Sequence, residues 1–121
     1  MSKIAIIDDE QDILNVLDRF LSRSGAYTVK TFSNPIEGLS SVQNGSYDLV
    51  LLDIMMPKLD GLSFLKKLRE TNPNIKVIMM TAFDTLERSL EAHKYGAKNY
   101  ITKPFKSLDD VTSKIKRELE K

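Results

Sequence analysis

Five short apolar runs alternate with five longer stretches whose apolar residues recur at spacings of three and four, and this alternation confines the chain to an α/β fold. The runs are residues 3–7 (KIAII), 27–32 (YTVKTF), 48–52 (DLVLL), 76–80 (KVIMM) and 99–102 (NYIT). The first, third and fourth are apolar almost throughout, as suits strands of a parallel sheet covered on both faces. The second alternates and the fifth is short, which assigns both to the edges. Between the runs, Ile13, Val16, Leu17, Phe20 and Leu21 mark the inward face of a first helix that stops at Gly25. A second helix opens at Asn34-Pro35, buries Ile36, Leu39 and Val42, and ends at Gly45. A third carries Leu62, Leu65 and Leu68 and stops before Pro73. A fourth, from about Thr85, carries Leu86 and Leu90 and ends near Gly96. The fifth opens at Ser107, with Asp110 in a capping-box-like position, and buries Leu108, Val111, Ile115 and Leu119.

Right-handed crossovers wind such units into a doubly wound parallel sheet. Five strands favour the flavodoxin-like order 2-1-3-4-5, with five helices, and the winding then reverses between strands one and three. A site is expected in the crevice outside their C-terminal ends. The 121 residues, 41% of them hydrophobic, suffice for one core, so residues 1–121 are read as a single domain. With no Cys there is no disulfide, thiolate metal site or thiol nucleophile, and the single His, His93, rules out a His-rich zinc site. Lys and Arg number 18 against 17 Asp and Glu, so no basic field directs the chain to nucleic acid. No apolar run approaches the roughly 20 residues of a membrane span, and the opening run breaks at Asp8, too early for a secretory signal. The expectation is a cytoplasmic domain that binds neither nucleic acid nor membrane.

The strand ends carry the chemistry. Strand one ends in Asp8-Asp9, with Glu10 and Asp12 just beyond; strand three ends in Asp53, strand four in Thr81, and strand five in Lys103-Pro104. Neighbouring parallel strands lie about 5 Å apart, so Asp8 and Asp9 can face Asp53, with Thr81 one strand over and the long Lys103 side chain bridging the rest. Carboxylates gathered in one crevice repel unless a cation offsets them. Mg²⁺ fits an all-oxygen site that has no Cys and no nearby His. Such an ion, with Thr81 and Lys103 converging on it, equips the crevice to neutralise a phosphoryl group in transfer. The acceptor is then a carboxylate, and Asp53, alone at the end of the most apolar strand, is the best placed. Asp12 and Asp60 read as caps or loop residues. Any one of these groups alone would pass as a helix cap; the joint placement at four strand ends carries the functional reading. A flavin mononucleotide carrier of the same fold needs a glycine- or hydroxyl-rich turn after strand one, where Asp8, Asp9 and Glu10 would repel its phosphate. An aspartyl phosphatase needs a second carboxylate two residues after its nucleophile, where Met55 stands.

The segments IIDDE (6–10), YDLVLLDIMMPKLDG (47–61), MMTA (79–82) and YGAKNYITKPF (95–105) resemble the receiver domains of two-component response regulators, and the resemblance covers essentially the whole chain. It implies a phospho-accepting signalling switch in which Asp53 takes a phosphoryl group from a phosphohistidine on a histidine kinase or phosphotransfer protein. It further implies that Asp9 ligates Mg²⁺ directly, Asp8 largely through water, and Asp53 and the Met55 backbone carbonyl complete the protein share, with Mn²⁺ as a substitute. Thr81 would hydrogen-bond one phosphoryl oxygen and Lys103 pair with another. Tyr100 falls at the family's aromatic switch position, and the Lys103-Pro104 bond is expected to be cis. Such a domain catalyses its own phosphorylation and dephosphorylation and has no external product. Its output face, the fourth helix, fifth strand and fifth helix, would present Arg88, Glu91, Lys94, Tyr95 and Tyr100 to a downstream protein or a covalently linked output domain. His93 reads as a surface residue and Met79-Met80 as core. Met55 and Phe83 stand where many relatives carry polar groups that orient a hydrolytic water, so a long-lived phosphorylated state is expected.

Overall fold

The computed structural model describes residues 1–81, 86–97 and 99–121, the side chains of 86–89 excepted. Strands and helices alternate along the chain: β1 (Ser2–Ile7), α1 (Gln11–Arg23), β2 (Tyr27–Phe32), α2 (Pro35–Asn44), β3 (Leu49–Asp53), α3 (Gly61–Thr71), β4 (Lys76–Thr81), α4 (Leu86–Lys94), β5 (Asn99–Thr102) and α5 (Leu108–Leu119). The strands form one parallel sheet in the order β2-β1-β3-β4-β5, as the apolar pattern predicts. β3 is buried at every position, whereas β2 alternates between half-buried and exposed, the expected contrast between a central and an edge strand.

Alternate strand residues feed two cores. Ala5, Ile7, Val50, Leu52, Val77 and Met79 pack with Val42 of α2, Phe64, Leu65 and Leu68 of α3, and Ala92 of α4. Ile4, Ile6, Leu49, Leu51, Ile78, Met80 and Ile101 pack with Leu14, Leu17 and Leu21 of α1 and with Val111 and Ile115 of α5. Period-two alternation on strands covered on both faces thus explains why the central runs are apolar throughout. Met79 and Met80 are both core, and His93 is on the surface.

On three helices one residue of the apolar pattern faces outward, while Ile13, Leu17, Phe20 and Leu21 of α1 and Leu39 and Val42 of α2 pack inward as expected. Val16, Ile36 and Leu90 are exposed, while Leu14, Gly38 and Ala92, each two positions away, are buried. Two positions are about 200° around a helix, so the two members of each pair occupy opposite sides. Gly38 and Ala92 escape a search for bulky apolar residues because their role is to have no bulk. A Cβ at Gly38 would come within 2.8 Å of Ile7 Cδ1. Leu108 and Leu119 are half-buried, and α5 adds buried Glu118 to its inner face. The start of the fourth helix at Thr85 and the Leu86 side chain lie outside the described residues.

Helix entries follow local chemistry. Asn34 caps α2 by accepting from the Ile36 amide ahead of Pro35, Asp60 caps α3 through the Ser63 amide at 2.9 Å, and Ser107 caps α5 through the Asp110 amide at 3.0 Å. Lys103-Pro104 is cis, as the resemblance implies.

Candidate functional site

The C-terminal ends of β1, β3, β4 and β5 meet at one edge of the sheet, and backbone bonds carry the pairing into the loops beyond. The Asp8 amide donates to Phe32 O, Ile54 to Met80 O, and Lys103 to Thr81 O at 2.8 Å. These bonds hold Asp8, Asp53, Thr81 and Lys103 on a common rim. Gly61 completes the floor: its amide donates to Ile54 O at 2.7 Å, and a Cβ there would overlap the Asp53 carbonyl oxygen. The first turn of α3 can therefore pass directly against the β3 end only because residue 61 is glycine.

On this rim the Lys103 ammonium is ringed by carboxylates. Its Nζ lies 2.5 Å from Asp8 Oδ2, 3.1 Å from Glu10 Oε1 and 3.4 Å from Asp53 Oδ2. Asp8 is fully buried and Asp53 is 5% exposed. Asp8 Oδ1 accepts from the Glu10 amide, whereas buried Oδ2 has no partner among the described residues beyond the ammonium it faces. Asp53 Oδ1 accepts from the Met55 amide at 3.4 Å.

The electrostatics follow from burial. Desolvation, reinforced by the charge of Asp8 and more weakly of Asp9, raises the Asp53 carboxyl from 3.8 to about 7, against the downward pull of Lys103 and the Met55 amide. Burial pulls the Lys103 ammonium down, but its hydrogen bonds and ion pairs with Asp8, Asp53 and Glu10 outweigh that and leave it raised. The crevice is short of positive charge even with Lys103 in it.

Oxygens of Asp8, Glu10 and Asp53 lie within 4.8 Å of one another, which suits a small, hard cation. The buried Asp8 oxygen that faces Lys103 and an all-carboxylate donor set fit Mg²⁺. Asp9 stands outside this trio and is exposed, since successive residues leaving a strand point to opposite sides. Glu10, which in sequence lies just beyond the strand in the acidic turn, comes into the cluster through its contact with Lys103, while the charge of Asp9 still acts on Asp53; the signal of Glu10 was the uninterrupted acidic triplet. Thr81 is half-buried on the same rim, one strand from Asp53. Met55 is 52% exposed beside Asp53, and Phe83 lies outside the described residues.

Behind the rim, Tyr100 is half-buried against the core under α2, α3 and α4, and burial raises its phenol. Glu91, Lys94 and Tyr95 lie with Leu90 around an open depression on α4. The Arg88 side chain is outside the described residues. Arg69 carries no signal in sequence, yet its guanidinium donates to the carbonyls of Tyr95 and Ile75, each at 2.6 Å, tying α3 to the end of α4 and the start of β4.

Comparison with known proteins gives the same picture. The family model of the response regulator receiver domain matches residues 4–116. The chain is 39% identical over 116 residues to the uncharacterized transcriptional regulatory protein YkoG of Bacillus subtilis (strain 168), covering 96% of this chain and 50% of that protein. It is 37% identical over 112 residues to the DNA-binding transcriptional regulator NtrC of Escherichia coli (strain K12), covering 93% of this chain and 24% of that one. It thus spans about half the length, or less, of these curated relatives. The crystal structure of a CheY-like response regulator receiver domain protein from Methanospirillum hungatei JF-1 superposes with a TM-score of 0.92 at 33% identity, covering 99% of this chain and 94% of that one. The chain belongs to the receiver domain family of two-component response regulators, phosphorylation-dependent signalling switches.

Proposed function

We propose that Asp53 is the phosphoacceptor of this switch and that residues 1–121 form one receiver unit. The observation that carries the reading is the buried Asp53 carboxylate at the end of β3, facing the Lys103 ammonium at 3.4 Å. An Asp53 oxygen attacks phosphorus, the bond from phosphorus to the donor nitrogen breaks, and its electron pair leaves with the imidazole of a histidine kinase or phosphotransfer protein. Lys103 offsets charge on the phosphoryl oxygens, and the Thr81 hydroxyl donates to one of them. Asp8, Asp9 and Asp53, with the Met55 carbonyl, would hold Mg²⁺, or Mn²⁺ in its place. When bound, such an ion neutralises charge shared by the carboxylates and the phosphoryl group.

The reaction is the domain's own phosphorylation and its reversal, with no external product. Met55, apolar and half exposed at the rim, hinders an attacking water. As Thr81 moves to the phosphoryl group, Tyr100 turns further into the core behind it, and the face of α4, β5 and α5 changes for its reader. That reader is a downstream protein or a linked output domain, in keeping with the transcriptional regulators among the relatives. No helix among the described residues is long and apolar enough to cross a membrane, and we assign the switch to the cytoplasm.

Incubation with acetyl phosphate and Mg²⁺ followed by intact mass tests the reading. A single phosphate adduct is expected that needs the metal and is absent from Asp53→Asn; an adduct that survives in Asp53→Asn refutes the assignment.

A further inference from the structure

Glu10 occupies the N-cap of α1, yet its side chain makes no bond to the helix it opens. The residues favoured there carry short oxygens that accept from amides of the first turn. The Glu10 carboxylate instead crosses the site to Lys103 Nζ at 3.1 Å, between residues 93 positions apart. Its backbone is pinned, the amide donating to Asp8 Oδ1 at 3.0 Å and the carbonyl accepting from Ile13 and Leu14. The carboxylate therefore acts from a fixed base. Of the three acidic partners of Lys103, Asp8 and Asp53 are buried, whereas the Glu10 side chain is 61% exposed.

A divalent cation held by Asp8 and Asp53 would compete with the Lys103 ammonium for their carboxylates. Glu10 is the partner left to the ammonium at the mouth. We propose that Glu10 is a positioning residue for Lys103: it anchors the ammonium at the rim so that Asp8 and Asp53 can be shared with the cation. The inference rests on the Asp53 reading above. It also accounts for a helix start that breaks the local capping rule, a departure that belongs at functional sites.

The test is a double-mutant cycle read by Mg²⁺ binding in calorimetry, with no phosphodonor present. Glu10→Gln should weaken binding about 3- to 5-fold, the scale of a partly exposed ion pair. In a Lys103→Met background the same substitution should shift it by less than about 2-fold, the usual error of additivity. Equal shifts in both backgrounds would overturn the proposal, because Glu10 would then act on the ion directly. Lys103→Gln replaces Lys103→Met if the latter does not unfold cooperatively in urea. Glu10→Ser supplies a proper cap, so it should hold or raise the urea midpoint while weakening Mg²⁺ binding as Glu10→Gln does; wild-type binding in the Ser variant would also overturn the proposal. The phosphate adduct on the wild type is scored separately. Coupling without an adduct refutes Asp53 as acceptor and leaves the pairing of Glu10 with Lys103, whereas an adduct without coupling refutes the role of Glu10 alone.

Discussion

Asp53 destabilises the fold it serves when no metal is bound. Its carboxyl titrates near 3.8 in the unfolded chain and at about 7 in the native one, so between those values the native state binds more protons. Stability then falls as pH rises from about 4 to 7, by a few kcal/mol in all, and the loss is complete above the native value. In metal-free buffer Asp53→Asn should raise the urea midpoint at pH 8, and the gain should vanish near pH 4. A midpoint at pH 8 equal to or below wild type would show that Lys103 already compensates the buried charge. The residues of this site were legible in sequence as polar groups ending apolar runs. Which acids share the pocket was not: Asp9 and Glu10 differ by one position, and only the turn into α1 decides which faces Lys103.

At the scale of the helices, two substitutions separate the observed faces from the expected ones. Leu14→Ala empties a buried site of α1 and should cost about 2–5 kcal/mol. Val16→Ala, on the exposed side, should stay within about 0.5 kcal/mol. Equal losses in urea unfolding would mean that α1 is rotated from its observed setting. Arg69→Met is a different kind of test, because it leaves the buried apolar packing intact. It strips the guanidinium from the carbonyls of Ile75 and Tyr95 and should cost about 2–3 kcal/mol. A near-neutral result would show that water satisfies those carbonyls. Amphipathic periodicity located the helices and most of their inward residues but misplaced Val16, Ile36 and Leu90, which are exposed. Small inward residues such as Gly38 and Ala92 set a close approach to the sheet without contributing an apolar signal of their own.

For the molecule as a whole, a cation site assembled from the first and third strands exists only when the sheet is formed. Binding should therefore stabilise the folded chain, by about 2.7 kcal/mol at a hundredfold excess over Kd. Thermal unfolding with Mg²⁺ against chelator should show the rise in wild type and lose it in Asp8→Asn; an unchanged wild-type midpoint would deny a native-state site. The amino-acid sequence by itself determined the element order, the parallel sheet with β2 and β5 at its edges, and the four strand ends that bear polar groups, because local periodicity and the breaks in it are properties of neighbouring residues. Tertiary structure alone decided the rest: the small inward residues Gly38 and Ala92, the clasp of Arg69, and the choice of Glu10 over Asp9 beside Lys103. Those depend on distances between residues far apart in the chain, which exist only once both layers have closed on the sheet.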